Sequence, residues 1–241
     1  MRIIARIDIK NNHVIKGINL EGLRKIGDPI DIVKQYYLDS IDELLIIDSV
    51  ASLYGRNNLF ELIKNITKDI FVPITLGGGI RSLKDIENAL NSGADKVAIN
   101  SMALENPSFL SEAVSNFGES TITVNVEAKK ILENRWEPYK FCGREKTNLN
   151  VYDWINEIQN KGCGEILLTS IDNEGTETGF DIDLLESVKK IIKKPLIVSG
   201  GCGSLKHIEN LKKRFQNVSI AIASVLHYKI LTISEIKKIL S

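Results

Sequence analysis

The sequence is short of several things, and each shortage excludes something. Its 241 residues carry 31 basic and 31 acidic side chains, so neither sign is in excess. That argues against a protein whose affinity for nucleic acid or a membrane surface rests on a basic surplus. It has three cysteines, Cys142, Cys163 and Cys202, and no CxxC pair. An odd, scattered set cannot build a disulfide framework and fits a reducing compartment. No apolar run approaches the roughly 18 residues of a membrane-spanning helix. The N-terminus, MRIIARIDIKNN, lacks a basic stretch followed by a long apolar one and reads as a strand, not a leader. Linkers and low-complexity tracts are also missing, so nothing marks a domain boundary. The expectation is a soluble, cytoplasmic, globular chain, long enough for one large domain or two small ones.

What is present is a rhythm. Short β-branched runs recur at residues 3–8, 44–48, 72–76, 96–100, 121–127, 165–169, 196–199 and 218–223. Most are continuous and not alternating, as in strands covered on both faces. Between them lie helical periodicities such as IDIVKQYYLDSI, LKDIENALNSG and YDWINEIQNKG, some with start signals such as Pro107. Eight strands alternating with eight helices predict an α/β fold of the (β/α)8 TIM-barrel kind, with an open doubly wound sheet as the other arrangement.

An internal repeat favours the closed barrel. VPITLGGGIRSLKDIEN, from Val72, returns as KPLIVSGGCGSLKHIEN. Pro73 aligns with Pro195, Gly78 with Gly200 and Ser82 with Ser204, each 122 residues on. IDIK with Asp8 answers VEAK with Glu127, 119 residues on, and Glu43-Leu-Leu answers Glu165-Ile-Leu at 122. Two duplicated half-barrels, about 1–120 and 121–241, within a single 1–241 domain are expected.

In such a barrel the chemistry belongs at the C-terminal ends of the strands. The residues expected there are Asp8, Asp48, Thr75, Asn100, Glu127, Thr169 and Ser199. Asp8 and Glu127 end the first and fifth strands, opposite one another, which suits acid and base roles on a substrate held between them. Glycine-rich turns follow the third strand (Gly77-Gly78-Gly79) and the seventh (Ser199-Gly200-Gly201). Small residues at Asn100-Ser101 and Ala223-Ser224 follow the fourth and eighth. Such turns let backbone N–H groups approach phosphate oxygens. Two at matched positions imply a substrate with a phosphate at each end. The histidines His13, His207 and His227 are not at metal spacing, with His207 and His227 expected at helix starts. Cys202 has no apparent base partner. No metal and no cofactor are expected.

These segments, with VIKGINLEGLRKIGDP, ELLIIDSVAS, GADKVAINSMALENPSF and GEILLTSIDNEGTETGFD, resemble the cyclase subunit of imidazole glycerol phosphate synthase over nearly the whole chain. The resemblance implies a lyase/cyclase of histidine biosynthesis, a glutamine amidotransferase component working with a separate glutaminase docked at the bottom of the barrel. Ammonia would pass through the barrel to a bisphosphorylated ribulosyl-formimino-carboxamide nucleotide, giving imidazole glycerol phosphate and aminoimidazole carboxamide ribotide. By motif, the family's acid and base map to Asp8 and Glu127, and its flexible-loop lysine to Lys16. Its phosphate sites map to Gly79, Asn100 and Ser101, and to Gly175, Gly201, Ala223 and Ser224. Asp48, Thr169, Glu174 and Ser199 complete the expected substrate-binding set. Four alternating charges at the strand bottoms, Arg2, Glu43, Lys96 and Glu165, map to the ammonia gate, and Asp95 to the glutaminase anchor.

The sequence also departs from the family pattern. Glu127 stands where the motif has aspartate, Glu174 stands in IDNEGT in place of IDRDGT, and Asn125 replaces a small residue. The sequence stops at ISEIKKILS, without the short tail that often follows. An altered top over an intact entrance suggests one alternative, a conduit paralogue passing ammonia to another acceptor, such as a protein that amidates a bacterial surface sugar. The other is the phosphoribosyl isomerase, which shares the duplicated barrel but needs no gate. Trp136 and Tyr139 lie in the long 128–150 connection, read as a hairpin or a lid wall.

Overall fold

The computed structural model describes residues 1–51 and 59–240. Ser52, which ends the ELLIIDSVAS segment, and Ser241 lie outside the described residues. In chain order, β1 (Ile3–Lys10) leads into a hairpin of β2 (His13–Ile18) and β3 (Glu21–Gly27), followed by α1 (Pro29–Leu38) and β4 (Glu43–Asp48). Then come α2 (Phe60–Ile66), β5 (Ile74–Gly77), α3 (Leu83–Asn91), β6 (Lys96–Ile99), α4 (Ser101–Glu105) and α5 (Ser108–Phe117). The second half holds β7 (Ile122–Leu132), the hairpin partners β8 (Arg135–Lys140) and β9 (Glu145–Lys146), α6 (Val151–Asn160) and β10 (Glu165–Ser170). It closes with α7 (Ile182–Val188), β11 (Leu196–Ser199), α8 (Leu205–Arg214), β12 (Val218–Ile222), α9 (Ser224–His227) and α10 (Ile233–Leu240).

Eight of the strands, β1, β4, β5, β6, β7, β10, β11 and β12, pair in parallel, and β10 also pairs with β7, so the sheet closes on itself. This is a (β/α)8 barrel. The two faces of each strand divide the core. Residues such as Ile3, Ala5 and Ile7 face the helices in one large apolar cluster. Their alternates face the barrel interior, where Ile4, Leu45, Ile47, Ala98, Leu167, Ile197 and Ala221 form a separate apolar layer.

β5 starts at Ile74, two residues later than the 72–76 run suggests. Pro73 carries no N–H for the ladder and offers only its carbonyl, to Leu44 N. The shift moves Thr75 from the expected top face to the bottom, level with Lys96 in the register. Four strands beyond the eight build two hairpins. β2 pairs antiparallel with β1, and β8 with β7, so the 128–150 connection is a hairpin continuing the barrel strand. Among the described residues no helix is long and apolar enough to cross a membrane.

Candidate active site at the barrel mouth

Asp8 and Glu127 occupy equivalent places, where a barrel strand leaves the barrel and enters its hairpin. Asp8 stands opposite Ile15 of β2, and Glu127 opposite Tyr139 of β8. Both are buried. Glu127 Oε2 accepts from Asn100 Nδ2 at 3.1 Å and from the Gly143 N–H at 3.0 Å. Its Oε1 accepts from Asn125 Nδ2 at 3.3 Å. Burial raises its pKa to about 7, against the opposing pull of Arg6 and the donors Gly143 and Asn125, while Asp8 adds to the rise. A carboxyl balanced near neutrality can carry a proton or release it.

Arg6 was not among the residues the sequence brought forward. Its guanidinium is buried and donates Nε–H to Asp8 Oδ1 at 3.1 Å, and Nη1–H to Thr169 Oγ1 at 3.1 Å and Ser199 Oγ at 3.3 Å. One side chain thus reaches from β1 across the interior to β10 and β11. Burial works against its charge, but Asp8, Glu174 and Glu127 outweigh that and hold it firmly protonated. The signal was in the sequence: Arg6 lies two residues before Asp8, so period-2 alternation turns both the same way.

Lys16 and Glu174 form an ion pair with both side chains almost fully buried. Lys16, expected on a flexible loop, sits on β2. The hairpin it belongs to is tied down by the Asn19 N–H, donating to the Glu174 carbonyl at 2.7 Å. Burial opposes ionisation of Glu174, yet Lys16 and Arg6 hold its carboxyl below the usual range.

Two hollows flank these groups. The first brings together Asp48, Gly77, Gly78, Gly79, Asn100 and Ser101, with Glu127 on its wall. The second gathers Lys16, Glu174, Gly175, Ser199, Gly201, Ala223 and Ser224. Between them a third is lined by Arg6, Asp8, Lys16, Glu127 and Cys142. The glycine turns are needed for close approach. Gly78 has φ 91°, and a Cβ there would lie 2.3 Å from the Asp48 carbonyl oxygen. Gly200 has φ 97° and would meet the Ser170 carbonyl oxygen at 2.7 Å, both partners displaced by the same 122 residues. Asp48 also has a local task, its Oδ1 accepting from the Val50 and Ala51 N–H groups at 3.0 and 2.9 Å. Ser101 Oγ accepts from the Phe141 N–H at 3.0 Å. The expected top-face residues line these hollows, except Thr75 at the bottom and Thr169, which is fully buried and bonded to Arg6 and Asn125.

At the opposite end the four expected charges form a closed ring. Arg2 pairs with Glu43 at 2.8 Å and Glu165 at 2.5 Å, and Lys96 pairs with Glu165 at 2.8 Å and Glu43 at 3.3 Å. Thr75 Oγ1 donates to Glu43 at 3.0 Å and Arg2 Nε to Ser219 Oγ at 3.1 Å. Burial pushes Glu165 upward, but Lys96 and Arg2 hold it below the usual carboxylate range. Asp95 is exposed on this rim, and its Oδ2 accepts from the Ile74 N–H at 2.8 Å. The apolar interior layer separates ring from mouth.

Other singled-out residues have structural partners. His207 sits at the start of α8 and accepts from the Gly203 N–H at 3.1 Å. His227, expected at a helix start, instead ends α9, because that helix has only four residues. Its ring stacks on Tyr36 and shares a hydrogen bond with the Tyr36 hydroxyl at 2.6 Å, and burial lowers its pKa to about 4. Burial pushes the Cys202 thiol up to about 12, which disfavours the thiolate. Trp136 is buried in β8 and donates to Asp181 Oδ2 at 3.2 Å.

The family model described as histidine biosynthesis protein matches residues 2–232. An imidazole glycerol phosphate synthase subunit HisF from Legionella pneumophila is 48% identical over 206 residues, 86% of this chain and 97% of its own. The subunit of the same name from Helicobacter hepaticus is 42% identical over 236 residues, covering 98% and 93%. That from Streptococcus sanguinis is 40% identical over 237 residues, covering 98% and 94%. The chain belongs to the histidine biosynthesis protein family and, within it, to the cyclase subunits of imidazole glycerol phosphate synthase.

Proposed function

We propose that the mouth binds the ribulosyl-formimino-carboxamide nucleotide by its two phosphates and closes the imidazole ring with ammonia, releasing imidazole glycerol phosphate and aminoimidazole carboxamide ribotide. The observation that carries this reading is the pair of small-residue hollows, 122 residues apart in their glycine turns, on either side of Asp8 and Glu127. One phosphate lies against Gly79, Asn100 and Ser101, the other against Gly175, Gly201, Ala223 and Ser224, with Lys16 at its edge. Asp8 and Glu127 move the protons that amidine formation and ring closure require, and Asp48, Thr169, Glu174 and Ser199 shape the pocket. The two halves, about 1–120 and 121–241, each supply one carboxylate and one phosphate turn.

A glutaminase subunit docks at the N-terminal face, with Asp95 as an anchor, and its ammonia enters through the ring of Arg2, Glu43, Lys96 and Glu165. Neutral ammonia is the species suited to the apolar layer above, since an ammonium ion would leave its hydration behind at a cost of several kcal/mol. The reaction belongs in the cytoplasm.

The test supplies the purified chain with the nucleotide and concentrated ammonium salt, without a glutaminase. Turnover that Asp8→Asn reduces by about a hundredfold or more is expected. Tight binding of a glutaminase without any turnover would overturn the reading and leave a barrel that conducts ammonia to another acceptor.

A further inference from the structure

Arg6 places a permanent charge inside the upper barrel, where burying an unpaired guanidinium is prohibitive, and its partners explain how it stays. It donates to Asp8 on one side. On the other it starts a buried chain of hydrogen bonds. Arg6 Nη1 donates to Thr169 Oγ1, and Thr169 donates onward to Asn125 Oδ1 at 3.5 Å. Asn125 Nδ2 then donates to Glu127 Oε1 at 3.3 Å. The two carboxyls facing each other across the mouth are thereby joined through one guanidinium. They are not joined equally: Asp8 touches the cation itself, whereas, among the described residues, Glu127 accepts from the neutral amides of Asn125, Asn100 and Gly143.

Resting on the proposed acid and base roles, we propose that Arg6 is a positioning residue that sorts the pair, orienting Asp8 as the base through their direct ion pair and leaving Glu127 as the group that carries the proton. The pairing supports the division. Arg6 and Lys16 each pair directly with a carboxylate, Asp8 and Glu174, whereas the hydrogen bonds that Glu127 accepts come from neutral groups. The raised pKa of Glu127 agrees. Among the described residues, other titratable groups facing this cluster are Asp48, in the first hollow, His227, on α9, and Cys142 and Arg144, in the 141–144 turn.

Carboxyl-carbon NMR titration of the intact chain tests this without substrate. In Arg6→Gln the Glu127 midpoint should rise above its parental value, because Arg6 is the cation that opposes the effect of burial there. An unmoved midpoint in the folded variant would overturn the proposal. Arg6→Lys keeps the charge and loses the fork, so it decides the matter should the glutamine variant not fold. Its Glu127 should titrate as in the parent, while ammonium-supported kcat falls about tenfold with KM unchanged. Parental kcat in Arg6→Lys would also overturn it. Should Asp8→Asn retain full turnover, the acid and base assignment fails instead, which the substrate-free titration reports separately.

Discussion

At Glu127 the folded carboxyl titrates near 7 because burial disfavours its charge, whereas the unfolded chain releases that proton near 4.5. The folded state therefore holds more protons between those values, and stability falls as pH rises through the window. The loss from this one group is roughly 3 kcal/mol, from 1.36 kcal/mol per unit. Glu127→Gln cannot ionise, so its unfolding free energy, measured in urea at pH 5 and pH 8, should lack that slope. An equal slope in parent and variant would remove Glu127 as its source. Asp8 and Glu127 were readable from the sequence because each closes an apolar run. Arg6 left a fainter signal, because a run interrupted by one basic residue still reads as a strand, and only the parity with Asp8 turns it inward. The hydrogen bonds that Glu127 accepts from Asn100 and Gly143 join residues 27 and 16 positions apart, which no local pattern encodes.

Matched motifs did not make matched helix starts. Ser82 begins α3 with a reciprocal capping box, its Oγ accepting from the Asp85 N–H at 3.2 Å and the Asp85 carboxylate accepting back from the Ser82 N–H at 2.9 Å. Ser204 begins α8 in the same SLK-x-IEN sequence without a side-chain cap, because His207 stands where Asp85 does. His207 turns its ring to Gly203 instead. Ser82→Ala should thus cost about 1 kcal/mol of unfolding free energy, and Ser204→Ala only a few tenths. Equal losses in thermal or urea unfolding would contradict the difference in capping. The strand starts were legible to within two residues, being continuous β-branched runs, but β7 runs on to Leu132, past the 121–127 run, because it continues into the hairpin with β8. The β2–β3 hairpin was not, since EGLRKIG is mostly exposed polar sequence whose pairing is set by β2.

Across the whole barrel, the mouth and the charged ring lie at opposite ends, with the apolar interior layer between them. Glu43 is buried and serves both cations of the ring and Thr75. Glu43→Gln leaves Arg2 and Lys96 with one carboxylate between them and should destabilise the chain by about 3 kcal/mol, read from its urea midpoint. Phe71 precedes β5 on the same rim as Asp95 and is 77% exposed, unusual for a phenylalanine without a partner. Phe71→Ser should weaken glutaminase binding about tenfold while ammonium-supported turnover stays as it was. A variant that binds as well as the parent would place the contact elsewhere on the rim.

The ring at that entrance has a consequence for the approach of a partner. Its signs alternate, so charge and dipole cancel and what remains is a quadrupole, whose field fades within about 8 Å at physiological salt. A subunit docking as proposed would meet no long-range pull from the ring itself. Its association rate should then vary little with ionic strength, and recognition is left to contact.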